Sequence, residues 1–196
     1  ALTMLNPMSV VLEPFFQIHD SRYMLYWMAL TNSEYKSHND SLALVERERL
    51  AVQGRTIDVV APGEQQPEVD HAMQDSNSHS GNYLDEFWRD ASNGGFFSYK
   101  LSTEGETDLC LMVRYWGNEW GNRKFEIWID EKRLLVEDNT GRWSQSKFQN
   151  VEYAIPISMI KGKDHIRVKF QSLADNTAGP VYSLRLARVK ETSRHH

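Results

Sequence analysis

From Phe97 to Leu186 apolar side chains return at every second residue, and this rhythm narrows the folds open to the chain more than any other feature. Phe97, Tyr99 and Leu101 alternate with polar neighbours, as do Leu109, Leu111, Val113 and Tyr115, then Phe125, Ile127 and Ile129. Leu134 with Val136, and Val151 with Tyr153 and Ile155, continue the series. The cleanest run interleaves Ile166, Val168 and Phe170 with Arg167, Lys169 and Gln171; Tyr182, Leu184 and Leu186 close the pattern. Successive side chains of an extended chain point to opposite faces, so each run makes a strand with one dry and one wet face. Turn residues punctuate the runs at Gly105, 117–121, 130–132, 139–141 and 161–163. Short strands with no helices between them exclude parallel βαβ units. They predict an all-β fold, an antiparallel two-layer β-sandwich of the jelly-roll kind.

Upstream the pattern changes. Leu42, Val45, Arg49 and Val52 recur at helical spacing behind possible N-cap oxygens on Asn39, Asp40 and Ser41. That predicts one short helix over 41–53, ended by Gly54. Two strand-like runs precede it, at 10–16 and 22–30, the second apolar on both parities and so in need of cover on both faces. Residues 58–90 show no periodicity and are rich in Gly, Pro, Asn, Ser and acids, which reads as a long loop on a surface. The expected organisation is 1–32 as the closing strands of a preceding region, 33–57 as a helical connector, 58–190 as the sandwich module and 191–196 as a tail. The chain opens in mid-pattern without the basic start of a secretory leader, as a segment cut from a longer polypeptide would. His195–His196 reads equally as native sequence or as a purification-tag remnant.

Composition removes several classes of function. A net charge of −5 argues against nucleic acid as a partner, because phosphate binding needs clustered Lys and Arg. Apolar stretches such as 23–30 are too short to cross a bilayer, so no membrane partner is expected. Cys110 is the single cysteine, which excludes a disulfide framework and a cysteine zinc cluster.

Gly-rich phosphate loops, His-Glu-x-x-His and Gly-x-Ser-x-Gly strings are all missing from the sequence. The segment Ala61–His71 instead gathers Glu64, Glu68, Asp70 and His71. Three readings compete for it. It could hold a hard cation such as calcium, which takes carboxylate and carbonyl oxygens. Glu64 and Glu68 could form an acid–base pair for glycoside hydrolysis, which needs carboxylates about 5–9 Å apart. The third reading, which we take, is a Pro-bracketed structural loop bonded to its own backbone and the adjacent strands. Arg89 beside Asp90 suggests a paired anchor. His19, His71 and His79 share no regular spacing, so no metal is assigned to them.

Trp88, Trp116, Trp120, Trp128 and Trp143, with Tyr83, fall in or near expected loops or on outer faces. An indole presents a flat apolar face that stacks on the C–H face of a sugar ring. Trp120, Trp116, Trp88 and Tyr83 are therefore the candidate carbohydrate-binding residues, with Trp120 the best exposed. The competing reading makes Trp88 and Trp116 core plugs. Trp128 is expected to point away from Phe125, Ile127 and Ile129, towards the helix or a neighbouring domain.

Residues 12–27 (Leu-Glu-Pro-Phe-Phe-Gln-Ile-His-Asp-Ser-Arg-Tyr-Met-Leu-Tyr-Trp) resemble the closing segment of glycoside hydrolase family 127, the β-L-arabinofuranosidase-like proteins. Pro62–His71, Trp88–Ala91, Tyr115–Gly117 and Asn176–Gly179 resemble the module that follows it in many Bacteroidetes members; the string Gly63–Glu68 is the most specific of these. The resemblance implies a catalytic (α/α)6 barrel N-terminal to this region, with a Cys nucleophile in a Cys-and-Glu zinc site. Cys110 matches no part of such a site, so no catalytic residue is carried over. What the resemblance implies for this chain is a non-catalytic accessory β-sandwich of a secreted, periplasmic or extracellular glycoside hydrolase. It would support the barrel as partner and need no cofactor, calcium being the exception left open. The alternative is a carbohydrate-binding module that stacks plant-cell-wall saccharides on exposed Trp; a third reading is an independent glycosidase.

Overall fold

The computed structural model describes residues 31–190. The strand-like runs at 10–16 and 22–30 and the tail at 191–196 lie outside the described residues. The chain divides into two compact units, Ala1–Leu44 and Val45–His196, and the sheets belong to the second.

The first described element, α1 (Asn32–Arg55), is a 24-residue helix and starts well before the expected one. Its start is fixed by a reciprocal capping box. The Glu34 N–H donates to Thr31 Oγ1 at 3.3 Å, and the Thr31 N–H donates to Glu34 Oε2 at 2.8 Å. That Thr-x-x-Glu signal outranks the later Asn39–Ser41 oxygens. Gly54 lies inside the helix instead of ending it. No residue of α1 is buried, and Leu42 and Val45 are exposed despite their helical spacing.

The stretch expected to be a long loop is folded. It contains β1 (Thr56–Val60), the short helix α2 (Gln65–Asp70), β2 (Gln74–Tyr83) and the start of β3 (Glu86–Ser102). Strand β2 reads Gln-Asp-Ser-Asn-Ser-His-Ser-Gly-Asn-Tyr and is almost wholly exposed. It sits at the end of its sheet and is held through antiparallel pairing with β3, so burial imposes no alternation on its sequence. There follow β4 (Leu109–Trp116), β5 (Lys124–Ile129), β6 (Lys132–Asp138), β7 (Phe148–Ala154), the short helix α3 (Ile157–Ile160), β8 (His165–Ser172), β9 (Thr177–Val181) and β10 (Ser183–Arg188). The helix content is thus one long and two short helices among the described residues, where one short helix was expected.

The strands form the predicted antiparallel two-layer sandwich. One sheet has the order β1-β10-β4-β7; the other runs β2-β3-β8-β5-β6, with β9 added on β3. All pairings are antiparallel. The alternating residues meet between the layers: Leu111, Val113, Leu184 and Leu186 from the first sheet, and Phe97, Tyr99, Ile127, Val168 and Phe170 from the second, all at 0% exposure. Phe170 lies between its cross-strand partners Phe97 and Ile127, with the Phe97 and Phe170 rings stacked at 5.0 Å. Each of these side chains contributes about 1.5–3 kcal/mol by leaving water, so the period-two register is strongly enforced.

Candidate functional site

The segment Ala61–His71 is an anchor. Glu68 is 6% exposed and lies on α2. Its Oε1 accepts from Gly63 N at 2.7 Å, Arg89 Nε at 2.6 Å and Tyr99 OH at 2.8 Å, and its Oε2 accepts from Arg89 Nη2 at 2.7 Å. A carboxylate offers about four lone-pair sites, so these four donors leave nothing for a cation or a travelling proton. Burial alone would raise the Glu68 carboxyl, but the bonds from Arg89, Gly63 and Tyr99 hold it below its ordinary value. Arg89 completes its fork with Ser78 Oγ at 2.8 Å. The anchor expected between neighbours Arg89 and Asp90 is thus made by Arg89 and Glu68, because alternate residues of a strand face opposite ways.

The other residues of the segment stand apart from this knot. Glu64 is exposed, and exposed Asp70 accepts from Gln66 Nε2 at 2.7 Å. Both ring nitrogens of His71 face oxygens, Pro67 O at 2.6 Å and Asp58 Oδ1 at 3.0 Å. Among the described residues no group of three or more His, Cys, Asp and Glu side chains is arranged to hold a metal ion. Cys110 is buried, and burial, with Glu152 beside it, pushes its thiol up, away from the reactive thiolate.

The four aromatic candidates Tyr83, Trp88, Trp116 and Trp120 converge on one cleft of about 450 Å³. Tyr182, between β9 and β10, joins them, and Asn82, Asp90, Asn118, Glu119 and Arg123 supply polar groups to the lining. None of Glu64, Glu68, Asp70 and His71 reaches this cleft. Trp128 and Trp143 are engaged elsewhere. Trp128 donates to Glu126 Oε2 at 3.0 Å beneath the cross-strand Lys169, and Trp143 stacks on core Tyr115 at 6.2 Å.

Local sequence builds the cleft wall. Gly81 pairs with Trp88 across the β2–β3 hairpin, and a Cβ at Gly81 would lie 2.6 Å from Trp88 Cζ2. The bare glycine lets the indole lie down over the strand. Trp116 is wedged by edge-on contacts with Tyr83 at 5.1 Å and Phe148 at 5.0 Å, and Phe148 in turn meets Tyr182 at 4.9 Å. Each such edge-to-face pair adds about 0.5–1.5 kcal/mol beyond burial, so this wall is stiff. Gly117 passes close under the backbone of 145–147, where a Cβ would meet Gln145 O at 2.5 Å, and so launches the loop that carries Trp120.

Trp120 is 82% exposed, the most exposed large apolar side chain in the described structure. Its backbone is nonetheless fixed, because its carbonyl accepts from Arg123 Nε at 2.9 Å. Arg123 also donates to Gly179 O at 3.3 Å and to Glu119 Oε2 at 3.0 Å. Burial raises the Glu119 carboxyl against the opposing pull of Arg123, and nearby Asp90 raises it further. Burial likewise raises Asp90 despite Arg123 and His79, and Asp90 Oδ1 is buried without a hydrogen-bond partner. An exposed indole sharing one cleft with three other aromatics, carboxylates and amides suits a ligand with an apolar face and many hydroxyls.

The sequence singles out the four aromatics that the structure brings together; it assigns Asp90 to an anchor and Tyr182 to a strand face, and Glu119 and Arg123 to no role. Glu119 and Arg123 bracket Trp120 in the sequence, and that adjacency was the available signal.

A family model described as "Family of unknown function (DUF6805)" matches residues 51–187. Among solved structures, the chain is similar to a family 35 carbohydrate binding module from Clostridium thermocellum. The two are 14% identical, the match covers 67% of this chain and 98% of that one, and the TM-score is 0.47. It is also similar to the CBM35 from Cellvibrio japonicus Abf62, at 11% identity over 68% of this chain and 94% of that one, with a TM-score of 0.46. The C-terminal CBM6 of the laminarinase LamC from Zobellia galactanivorans is 12% identical over 66% and 98% of the two chains, with a TM-score of 0.45. No curated protein matches the chain.

Proposed function

We propose that this chain, which belongs to the family of unknown function DUF6805 over residues 51–187, binds carbohydrate in the aromatic cleft and carries out no reaction of its own. The observation that carries this reading is Trp120, an indole 82% exposed on an anchored loop that lines one cleft with Tyr83, Trp88 and Trp116. A soluble protein gains nothing in folding from presenting such a ring to water, and a sugar face covers it well. Binding draws on side chains alone and invokes no cofactor.

The parent we propose is a secreted glycoside hydrolase of the family 127 type, on the strength of the segments 12–27 and 62–71. Its catalytic barrel would precede this module, and periplasmic or extracellular plant-cell-wall saccharides would be its ligands. A supporting role towards that barrel is favoured by α1, whose Leu42, Leu44, Val45 and Leu50 are all exposed.

Titration of intrinsic tryptophan fluorescence and calorimetry with arabinose- and galactose-containing oligosaccharides test the proposal. A saturable spectral shift with heat at millimolar sugar is expected. No response to any plant-cell-wall sugar would refute binding. Turnover of aryl glycosides that disappears in Glu119→Gln would refute the non-catalytic part.

A further inference from the structure

We infer that the cleft selects neutral sugars and rejects uronates, an inference that rests on the sugar-binding reading above. Its basis is the charge arrangement in the lining. Asp90 and Glu119 contribute two carboxylates, and Arg123 contributes the one guanidinium. Three of the five N–H groups of that guanidinium are spent within the protein: Nε on the Trp120 carbonyl at 2.9 Å, Nη1 on the Gly179 carbonyl at 3.3 Å and Nη2 on Glu119 at 3.0 Å. Its charge is matched by Glu119, which leaves Asp90 as the excess anion.

The groups facing Asp90 do not cancel it. Arg123 faces it from the loop after β4, and His79, cross-strand on β2, has Nδ1 3.6 Å from Asp90 Oδ1, outside hydrogen-bond reach. Arg89, adjacent on β3, turns its fork to Glu68. Glu119 adds like charge. The buried, unpartnered Oδ1 and the raised Asp90 and Glu119 carboxyls are consistent with a site short of cations.

Chemistry follows from this arrangement. Hydroxyl hydrogens of a neutral sugar satisfy carboxylates through short, charge-assisted bonds, and the Asn82 and Asn118 amides can serve either role. A uronate brings a third carboxylate into a partly buried space where two carboxylates already face a single guanidinium, so like-charge repulsion outweighs what that one cation returns.

Calorimetry on the full chain at pH 7 tests this with methyl galactoside and methyl arabinoside against galacturonate and glucuronate. The expected result is uronate binding at least about tenfold weaker than neutral-sugar binding, a gap that narrows in Asp90→Asn and in Glu119→Gln. Glu119→Gln keeps an acceptor for Arg123 and serves as the second variant should Asp90→Asn disturb folding. Uronates binding as tightly as neutral sugars, or a gap unchanged in both variants, would overturn the selectivity while leaving sugar binding intact. Silence towards every sugar would overturn both.

Discussion

Replacing Trp120 by alanine separates a binding role from a structural one. The ring is 82% exposed, so its loss should change folding stability by less than about 0.5 kcal/mol. The hydrogen bond that anchors the loop survives the change, because Arg123 holds the backbone carbonyl of residue 120 and not its side chain. Binding should respond very differently. A sugar stacked on one face covers roughly half of the indole surface, about 80–100 Å². At about 25 cal/mol per Å² that contact is worth about 2–2.5 kcal/mol, or a loss of about 30- to 70-fold in affinity. Trp120→Phe, with a smaller but still flat ring, should fall between the two. Calorimetric titration with a neutral oligosaccharide reads the affinity, and thermal melting by circular dichroism reads the fold. Unchanged affinity in Trp120→Ala would refute the stacking argument. A collapse of the melting temperature would show instead that the ring braces the fold.

Four further outcomes follow from named contacts. Gly81→Ala forces the Trp88 indole off its strand, since the new Cβ would lie 2.6 Å from Cζ2; sugar affinity should drop with a stability cost of only about 1–2 kcal/mol in urea. Glu68→Ala takes away the two-pronged partner of buried Arg89, leaving it Ser78 and a longer contact to Asp75 at 3.5 Å, and should cost about 3 kcal/mol in the same assay. The Glu68 carboxyl is held below its ordinary value, so its stabilisation is complete above the unfolded-state pKa of about 4.3 and fades as pH falls through the folded value; urea midpoints in Glu68→Gln should show a flatter acid limb than wild type. Asp90 has the opposite sign. Its raised carboxyl destabilises the folded state at neutral pH, so Asp90→Asn should stabilise the protein by about 1 kcal/mol at pH 7, with the gain vanishing at acid pH where Asp90 is protonated.

The sandwich was legible wherever burial acts on one face. Ile166, Val168 and Phe170 alternate because β8 has a strand on each side and a core beneath it. The same logic explains the failure at 58–90. Edge strand β2 buries almost nothing, so its fixed hydrogen-bonded register leaves no apolar trace. Strand β3 runs on through Asn93 and Gly94, but both have positive φ, which breaks its alternation near the point where pairing with β2 shifts. The four cleft aromatics were recognisable as residue types, but their convergence was not. Trp88 and Trp120 are brought together by pairings between distant segments, and no local spacing encodes that. The Glu68–Arg89 bridge is hidden for the same reason: its partners lie 21 residues apart, while Asp90, the neighbour in sequence, faces the other side of the strand.

Strand β3 also links the two buried features. Trp88 and Asp90 face the cleft, while Arg89 between them reaches the opposite way to Glu68, so one backbone position divides the binding wall from the anchor. Moving Arg89 displaces the peptide groups on both sides of it. The anchor is therefore placed to hold the indole and the orphan carboxylate in register for a ligand. This explains the tolerance of an unpartnered Asp90 oxygen: the cost at the cleft is offset by four hydrogen bonds to Glu68 on the other side of the strand. Arg89→Lys should therefore weaken sugar binding although residue 89 lies outside the cleft lining, because a lysine cannot make the two-pronged contact that fixes the strand. The same variant should leave Trp120 quenching by acrylamide unchanged, since Trp120 is carried by the Arg123 loop. Wild-type affinity in Arg89→Lys, with the fold intact, would show that the cleft holds its shape without the bridge.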